Sequence, residues 1–205
     1  MDDLEVLAHA IELHGRTVVD IGCGNGALVR ALRDAGADPI GVDIDVQPAH
    51  RLDPEGRYLK GSAERLPLPD QSVDVATMMR SLHHVPDPRS AFPELARVVR
   101  EYVYIAEPLP AGAFFELLRP VDDETAVRAN AQEAIRTCGF EHVKTIEYDT
   151  AIRMDRLEEL KARVLAADPT REDSWAAVEH QLAGRFKPGD FPIPMRVDIL
   201  RPPGT

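Results

Sequence analysis

The stretch VVDIGCGNG, from Val18 to Gly26, decides the fold. Residues 17–22 are rich in β-branched side chains and predict a buried strand, and the glycines after them predict a tight turn that opens a helix. Segment 27–36 has apolar residues at helical spacing, and segment 39–45 predicts a second strand. A strand, a helix and a strand within about 30 residues form a right-handed βαβ unit of a parallel sheet.

The same alternation continues along the chain. Further strands are predicted over 57–61, 72–79, 101–107, 142–154 and 195–200, and further helices over 3–14, 91–100 and 125–139. Two more amphipathic helices are predicted within 155–186, the second starting at Thr170 with a capping-box-like pattern. Segment 108–121 is predicted to be a loop with a short apolar piece. The pattern as a whole indicates an α/β fold.

Length and composition limit the function. A chain of 205 residues predicts a single domain over 1–205, with a helical insertion at about 155–190 between the last two strands. The net charge of −11, without a basic cluster, argues against a nucleic-acid partner and favours a small molecule. No apolar run approaches the ~20 residues that span a bilayer. Two cysteines, Cys23 and Cys138, make no disulfide framework, and we expect a cytoplasmic protein.

The glycine turn alone leaves the ligand open. Gly22, Gly24 and Ala27 satisfy the dinucleotide pattern G-x-G-x-x-G/A, and Asp43 follows at the end of the second predicted strand. Glycines let a ligand approach the backbone, and a carboxylate at this place can accept hydrogen bonds from two ribose hydroxyls. NAD and S-adenosylmethionine both fit this description, and a tight turn without any ligand is the plainer alternative.

Three further stretches of the sequence distinguish between NAD and S-adenosylmethionine as the ligand. They are GSAERLPLPDQSVDVA (61–76), LHHVPDPRSAF (82–92) and IAEP (105–108). Together with VVDIGCGNG they closely resemble the class I S-adenosylmethionine-dependent methyltransferases, in particular the small-molecule type, over residues 17–108. The resemblance implies a Rossmann-like three-layer sandwich, whose seven-stranded, mostly parallel sheet has an antiparallel last strand beside the fifth. It also implies methyl transfer to an O, N, S or C nucleophile of a small molecule.

The resemblance further implies a set of cofactor-binding residues. Asp43 would bind the ribose, Ile44 would pack on adenine, and Met79 would lie near the methionine and the sulfonium. Ser62 and Ala63 would contact the adenine edge, and since the family often has Asp in place of Ser62, adenine is expected to be held less tightly. The methionine half would be lined by Asp20, Gly22, Cys23, Gly24 and Gly26.

Three side chains are candidates for catalysis. His83 and His84 follow the strand over 72–79, and a neutral imidazole there could accept a proton from an acceptor hydroxyl. Positioning of the loop is the alternative role for both. Glu107 could orient an amine or hydroxyl substrate, or bind a loop amide. Arg80 is expected to be a solvated loop residue rather than an anion contact, and no metal site is predicted.

Two other functions stay open from the sequence. A non-catalytic S-adenosylmethionine-binding module would carry the same motifs. An NAD(P)-dependent oxidoreductase is disfavoured, because no tyrosine is followed four residues later by a catalytic lysine. The insertion over 155–190 could be a lid over the substrate, a helical pair packed on the sheet edge, or a contact in a homodimer. The sequence names no methyl acceptor.

Overall fold

The computed structural model describes residues 3–204, and its central feature is a seven-stranded sheet. The strands lie in the order β3-β2-β1-β4-β5-β7-β6. Neighbours from β3 to β5 pair in parallel, whereas β7 pairs antiparallel with both β5 and β6. The expected α/β fold with one antiparallel last strand is therefore confirmed. The strands are β1 (Thr17–Ile21), β2 (Asp38–Asp43), β3 (Tyr58–Lys60), β4 (Val73–Met79), β5 (Val99–Pro108), β6 (Glu141–Met154) and β7 (Gly189–Arg201).

Helices cover both faces of the sheet. They are α1 (Asp3–Ala10), α2 (Ala27–Asp34), α3 (Gln47–Leu52), α4 (Ala91–Val98), α5 (Ala113–Leu118), α6 (Thr125–Thr137), α7 (Leu157–Ala167) and α8 (Glu172–Arg185). Successive strand residues point to opposite faces. Val19 therefore packs in one buried cluster with residues of α4 and α6, and Val18 in another with residues of α1 and α2. These two clusters make the sheet the middle of three layers. No helix among the described residues has the length and apolar character needed to cross a membrane.

Several boundaries differ from the prediction. Helix α1 ends at Ala10 rather than at residue 14, and α4 ends at Val98, because Val99 already pairs with Val73 as the start of β5. Helix α3 was not predicted, and helix α5 lies within the predicted loop. Short elements of this kind depend on packing more than on their own propensity.

The last strand begins well before residue 195. Pro192 and Pro194 obscured it, since proline cannot donate to a β ladder. In the structure β5 ends at Pro108 opposite Met195, so residues 189–194 pair with β6 on one side, beyond the end of β5. Prolines are tolerated in such an edge position.

The helical insertion is carried by this long β6–β7 pair. Helix α8 begins at Glu172 rather than at Thr170, because Asp168 caps the preceding turn by accepting a hydrogen bond from the Thr170 amide (2.9 Å). With α5, the insertion encloses a separate apolar cluster of buried residues. Its members are Leu117, Met154, Leu160, Val164, Trp175 and Leu182. The insertion therefore has its own core beyond the carboxyl end of β5.

Candidate functional site

The glycine turn lies against the loop that follows β4. Gly22 has φ 78°, and a Cβ on it would lie 2.5 Å from Ser81 Cβ, so the close approach of the two segments requires glycine. Ser81 Oγ donates a hydrogen bond to the Ile21 carbonyl (2.8 Å), which fixes this approach. The carboxyl ends of β1 and β4 therefore form one edge of the site.

Gly24 and Asp43 form the next part of the edge. A Cβ on Gly24, whose φ is 52°, would meet nothing within 4 Å, so this part of the turn faces open space. The Gly24 and Asp45 amides donate to the two oxygens of Asp43 at 2.8 and 2.9 Å. Each oxygen keeps a further lone pair for an external donor such as a ribose hydroxyl. Gly26, the N-cap of α2, closes the turn.

Two adjoining cavities divide the predicted cofactor residues. The first, of about 420 Å³, is lined by Asp43, Ile44, Ser62 and Ala63 among others. The second, of about 490 Å³, is lined by Asp20, Cys23 and Met79 among others. Gly22 and Arg80 line both cavities. Most residues that the resemblance assigns to adenosine or to methionine thus line one of two neighbouring spaces, whereas Gly24 and Gly26 are not among the lining residues of either.

Asp20 supplies a buried carboxyl group to the second cavity. It is 3% exposed, and Thr77 Oγ1 donates to its Oδ1 at 3.0 Å. Burial raises the pKa of Asp20 to about 7, and the Thr77 hydrogen bond opposes that rise. A carboxyl group held in this way is poised to pair with a cation, which would favour its ionised form.

Cys23 contributes packing rather than thiol chemistry. Its side chain belongs to a buried cluster with Val29, Val46 and Tyr58, and its amide donates to the Val42 carbonyl (3.2 Å). Burial raises the pKa of the Cys23 thiol to about 12, so the nucleophilic thiolate is scarce at neutral pH.

Glu107 and His83 form a buried pair behind the loop after β4. Glu107 is 1% exposed, and its Oε1 accepts hydrogen bonds from the Ser81 and Leu82 amides at 3.2 and 2.8 Å. Its Oε2 accepts a hydrogen bond from His83 Nδ1. The contacts of Glu107 are those of a group that fixes the loop, the second of the two roles expected for it.

Among the catalytic candidates, His84 lines the first cavity. Its exposed ring lies at the wall of the first cavity, with its centroid 4.0 Å from that of His83. Desolvation, and then the neighbouring His83, lower the pKa of His84. The neutral imidazole is therefore the favoured form at pH 7.

Arg80 departs from its expected role as a solvated loop residue. It adopts a φ of 55°, lines both cavities and donates to Asp3 Oδ2 at 2.7 Å. Its Nε is buried and has no partner among the described residues. Tyr148 donates to the other oxygen of Asp3. Neither a positive φ at arginine nor contacts between such distant positions can be read from a single sequence.

Glu124 and Arg128 are further charged residues near the site that the sequence did not single out. Arg128 is 9% exposed, donates to Glu124 Oε2 and to the Leu109 carbonyl, and stacks over the Phe115 ring. In sequence they form an i, i+4 pair, which is usually a solvated helix face. Their burial depends on α5, which was predicted as loop.

A family model described as "Methyltransferase domain" matches residues 19–106. The match ends within β5, two residues before Pro108, so it contains Asp20 and Asp43 and leaves out the insertion.

Proteins of similar sequence and one solved structure agree with this family match. It is 40% identical over 106 residues to an uncharacterized methyltransferase of Mycobacteroides abscessus, covering 48% of this chain and 41% of that protein. It is 30% identical over 163 residues to a ubiquinone biosynthesis O-methyltransferase of Paracidovorax citrulli, covering 63% and 68%. The YcgJ protein of Bacillus subtilis shares the fold, with a TM-score of 0.68, 21% identity and 97% of each chain covered.

The chain belongs to the class I S-adenosylmethionine-dependent methyltransferase family. It spans less than half the length of the Mycobacteroides abscessus relative and about two thirds of the Paracidovorax citrulli relative.

Proposed function

We propose that this chain binds S-adenosylmethionine across the two cavities and transfers its methyl group to a small molecule. The observation that carries the proposal is the placement of two carboxyl groups, Asp43 and Asp20, in adjoining cavities that meet at Gly22. One suits a ribose diol and the other an ammonium group, and S-adenosylmethionine carries both.

The first cavity fits the adenosine half. Asp43 would accept hydrogen bonds from the ribose hydroxyls, and Ala63 and Ser62 would border the adenine. Ile44 is 71% exposed, which is unfavourable for a large apolar side chain, and a stacked adenine would remove that surface from water.

The second cavity fits the methionine half. The ammonium group would pair with Asp20 and stabilise its ionised form despite burial. Met79 would lie beside the thioether carbon chain, and the open face of Gly24 leaves room for the ligand near the turn.

The hydrogen bonds of the turn favour this ligand over a dinucleotide. The Gly22 and Cys23 amides donate to Val42, and the Gly24 amide donates to Asp43. Asn25 Oδ1 accepts from the Ala27 amide at the start of α2 (3.0 Å). A pyrophosphate would need several such amides free, whereas the amino-acid end of S-adenosylmethionine carries one carboxylate and an ammonium group that could pair with Asp20.

The bound cofactor supplies an activated methyl group, so the protein's part is to align the nucleophile and exclude water. His84 faces the cavity and is the side chain placed to accept a proton from an acceptor hydroxyl, while His83 and Glu107 hold its loop. Helix α5 and the insertion lie outside the family match and would shape the acceptor site. We propose that the acceptor is a small molecule and that the chain forms a single methyltransferase domain with a helical insertion.

Calorimetric titration with S-adenosylhomocysteine and, separately, with NAD tests the binding step. We expect saturable binding of S-adenosylhomocysteine and none of NAD, and the reverse result would overturn the proposal. A metabolite extract incubated with the chain and labelled S-adenosylmethionine then tests transfer. Binding without transfer to any metabolite would identify a non-catalytic binding module.

A further inference from the structure

Three side chains with metal-ligating atoms converge beside the loop after β4, and one of them, His84, lines the first cavity. His83 and His84 lie in the turn after β4, and Glu124 lies directly before α6. One ligand atom of each lies within 4.8 Å of the other two, and His83 Nε2 is 4.0 Å from Glu124 Oε1. We predicted no metal site from the sequence, in which Glu124 lies far from the two histidines.

Glu107 sets the tautomer of His83. Since Glu107 accepts a hydrogen bond from Nδ1, the lone pair of His83 is on Nε2, which faces Glu124. Histidine ligands of metals almost always donate their other ring nitrogen to a carboxylate, a carbonyl or water. Glu107 is itself fixed by two backbone amides, so the ring is already oriented for coordination.

Glu124 keeps one oxygen for an ion. Arg128 donates from Nε (3.0 Å) and from Nη2 to the same oxygen, Oε2. The other oxygen, Oε1, is the one that faces His83. Arg128 therefore holds the carboxylate in place without occupying both of its oxygens.

The charges around the cluster suit a cation. Three carboxylates lie there, Glu107, Glu124 and Asp122, against the guanidinium groups of Arg128 and Arg171, the latter paired with Asp122. One negative charge remains uncompensated by these cations, and a divalent ion would be attracted to it.

We infer that His83, His84 and Glu124 bind a divalent transition-metal ion. Two imidazoles and one carboxylate are a donor set used for zinc and related first-row metals, and three protein ligands leave a position for water or a substrate oxygen. His84 also lines the first cavity, so that position would open toward the proposed cofactor cleft. The inference goes beyond the proposed function, since metal binding does not require S-adenosylmethionine.

Cobalt(II) titration of the full chain, prepared without an affinity tag and stripped of metal, tests the site. We expect one equivalent of Co²⁺ to produce visible d–d absorption and Zn²⁺ to displace it. His84→Ala and Glu124→Gln should each weaken binding at least tenfold, because each removes or alters a direct ligand. His180→Ala, on the exposed face of α8, and Glu133→Gln, in the i, i+3 pair with Arg136, are matched controls and should bind as wild type.

Absence of saturable Co²⁺ binding to the wild-type chain would overturn the inference, as would an equal loss in the His180→Ala control. Thermal unfolding of each variant shows whether it is folded. S-adenosylhomocysteine binding to the metal-free chain separates the two proposals. If S-adenosylhomocysteine binds and Co²⁺ does not, only the inferred metal site is wrong. If Co²⁺ binds and S-adenosylhomocysteine does not, the metal site stands and the proposed function is wrong.

Discussion

The cofactor region, residues 17–107, and the insertion region, residues 108–188, are built by different means. In the cofactor region the site is made of strand ends and short turns, where Gly22 and Asp43 act through backbone geometry and direct hydrogen bonds. The insertion region has no such motif, and its buried cluster around Trp175 consists of side chains from α5, α7, α8 and β6. The proposed cofactor contacts thus lie in the first region, and the second contributes its own packed core and one inferred metal ligand, Glu124.

The largest effect is expected from the core of the insertion region. Trp175 is fully buried, and its truncation in Trp175→Ala should lower the stability of that region by roughly 3–5 kcal/mol. Since its cluster is separate from both cavities, S-adenosylhomocysteine affinity should stay within twofold of wild type at temperatures where the sheet is folded. Denaturant unfolding and calorimetry measure the two quantities. A tenfold loss of affinity would show that the regions are energetically coupled.

Asp43→Ala should produce the largest loss within the cofactor region. Removal of hydrogen bonds from two ribose hydroxyls to a charged group should cost about 1.5–3 kcal/mol, or roughly 10- to 150-fold in the dissociation constant of S-adenosylhomocysteine. Asp38→Ala, at the other end of β2, changes an exposed ion pair and serves as the control. Equal affinities for the Asp43 variant and wild type would mean that the ribose binds elsewhere.

Asp20→Asn should change the pH dependence of stability. With a folded-state pKa of about 7, well above the ordinary value, wild-type Asp20 is protonated in the native state from about pH 4 to 7 but ionised in the unfolded chain. Its contribution to the free energy of unfolding therefore falls as pH rises through this window. The variant has no carboxyl group to ionise and keeps this stability. Its free energy of unfolding in urea should therefore exceed that of wild type at pH 8 and equal it at pH 4.

The same measurements on Asp38→Asn, whose side chain is exposed, should show no such pH-dependent gain. A constant difference between Asp20→Asn and wild type across this pH range would show that Asp20 does not titrate in the window.

The smallest effect is expected at Ser62. A carboxylate at this position, in Ser62→Asp, would accept a charge-assisted hydrogen bond from the adenine amino group, worth about 1 kcal/mol more than a neutral one. S-adenosylhomocysteine should then bind about fivefold more tightly. Glu64→Asp, on the same cavity wall, should not change affinity. Weaker binding by the Ser62 variant would place adenine away from this loop.

The sheet was predictable because each strand is marked by a local pattern of apolar residues in the sequence. Residues 17–22 and 72–79 are apolar runs, and their order with the helices between them leaves few topologies. The first part of β7 was not predicted because it contains Pro192. Helix α5 was not predicted because its stability comes from packing in the insertion core rather than from the helix propensity of its own residues.

The candidate site was predictable only for residues that belong to a local sequence motif at the end of a strand. Asp20 and Asp43 lie at the carboxyl ends of β1 and β2, Gly22 follows β1 directly, and all three line the cavities at the expected edge. The contacts of Arg80 with Asp3 and of His83 with Glu124 join distant segments, and only the packing of α1 and α6 on the sheet brings them together.

A crystal structure of the chain with S-adenosylhomocysteine bound is the most direct test of the proposed cofactor site. We expect both ribose hydroxyls within hydrogen-bond distance of Asp43, adenine against Ile44 and the ammonium group beside Asp20. Adenosine bound outside the cavity lined by Asp43, or an amino-acid tail directed away from Asp20, would contradict it.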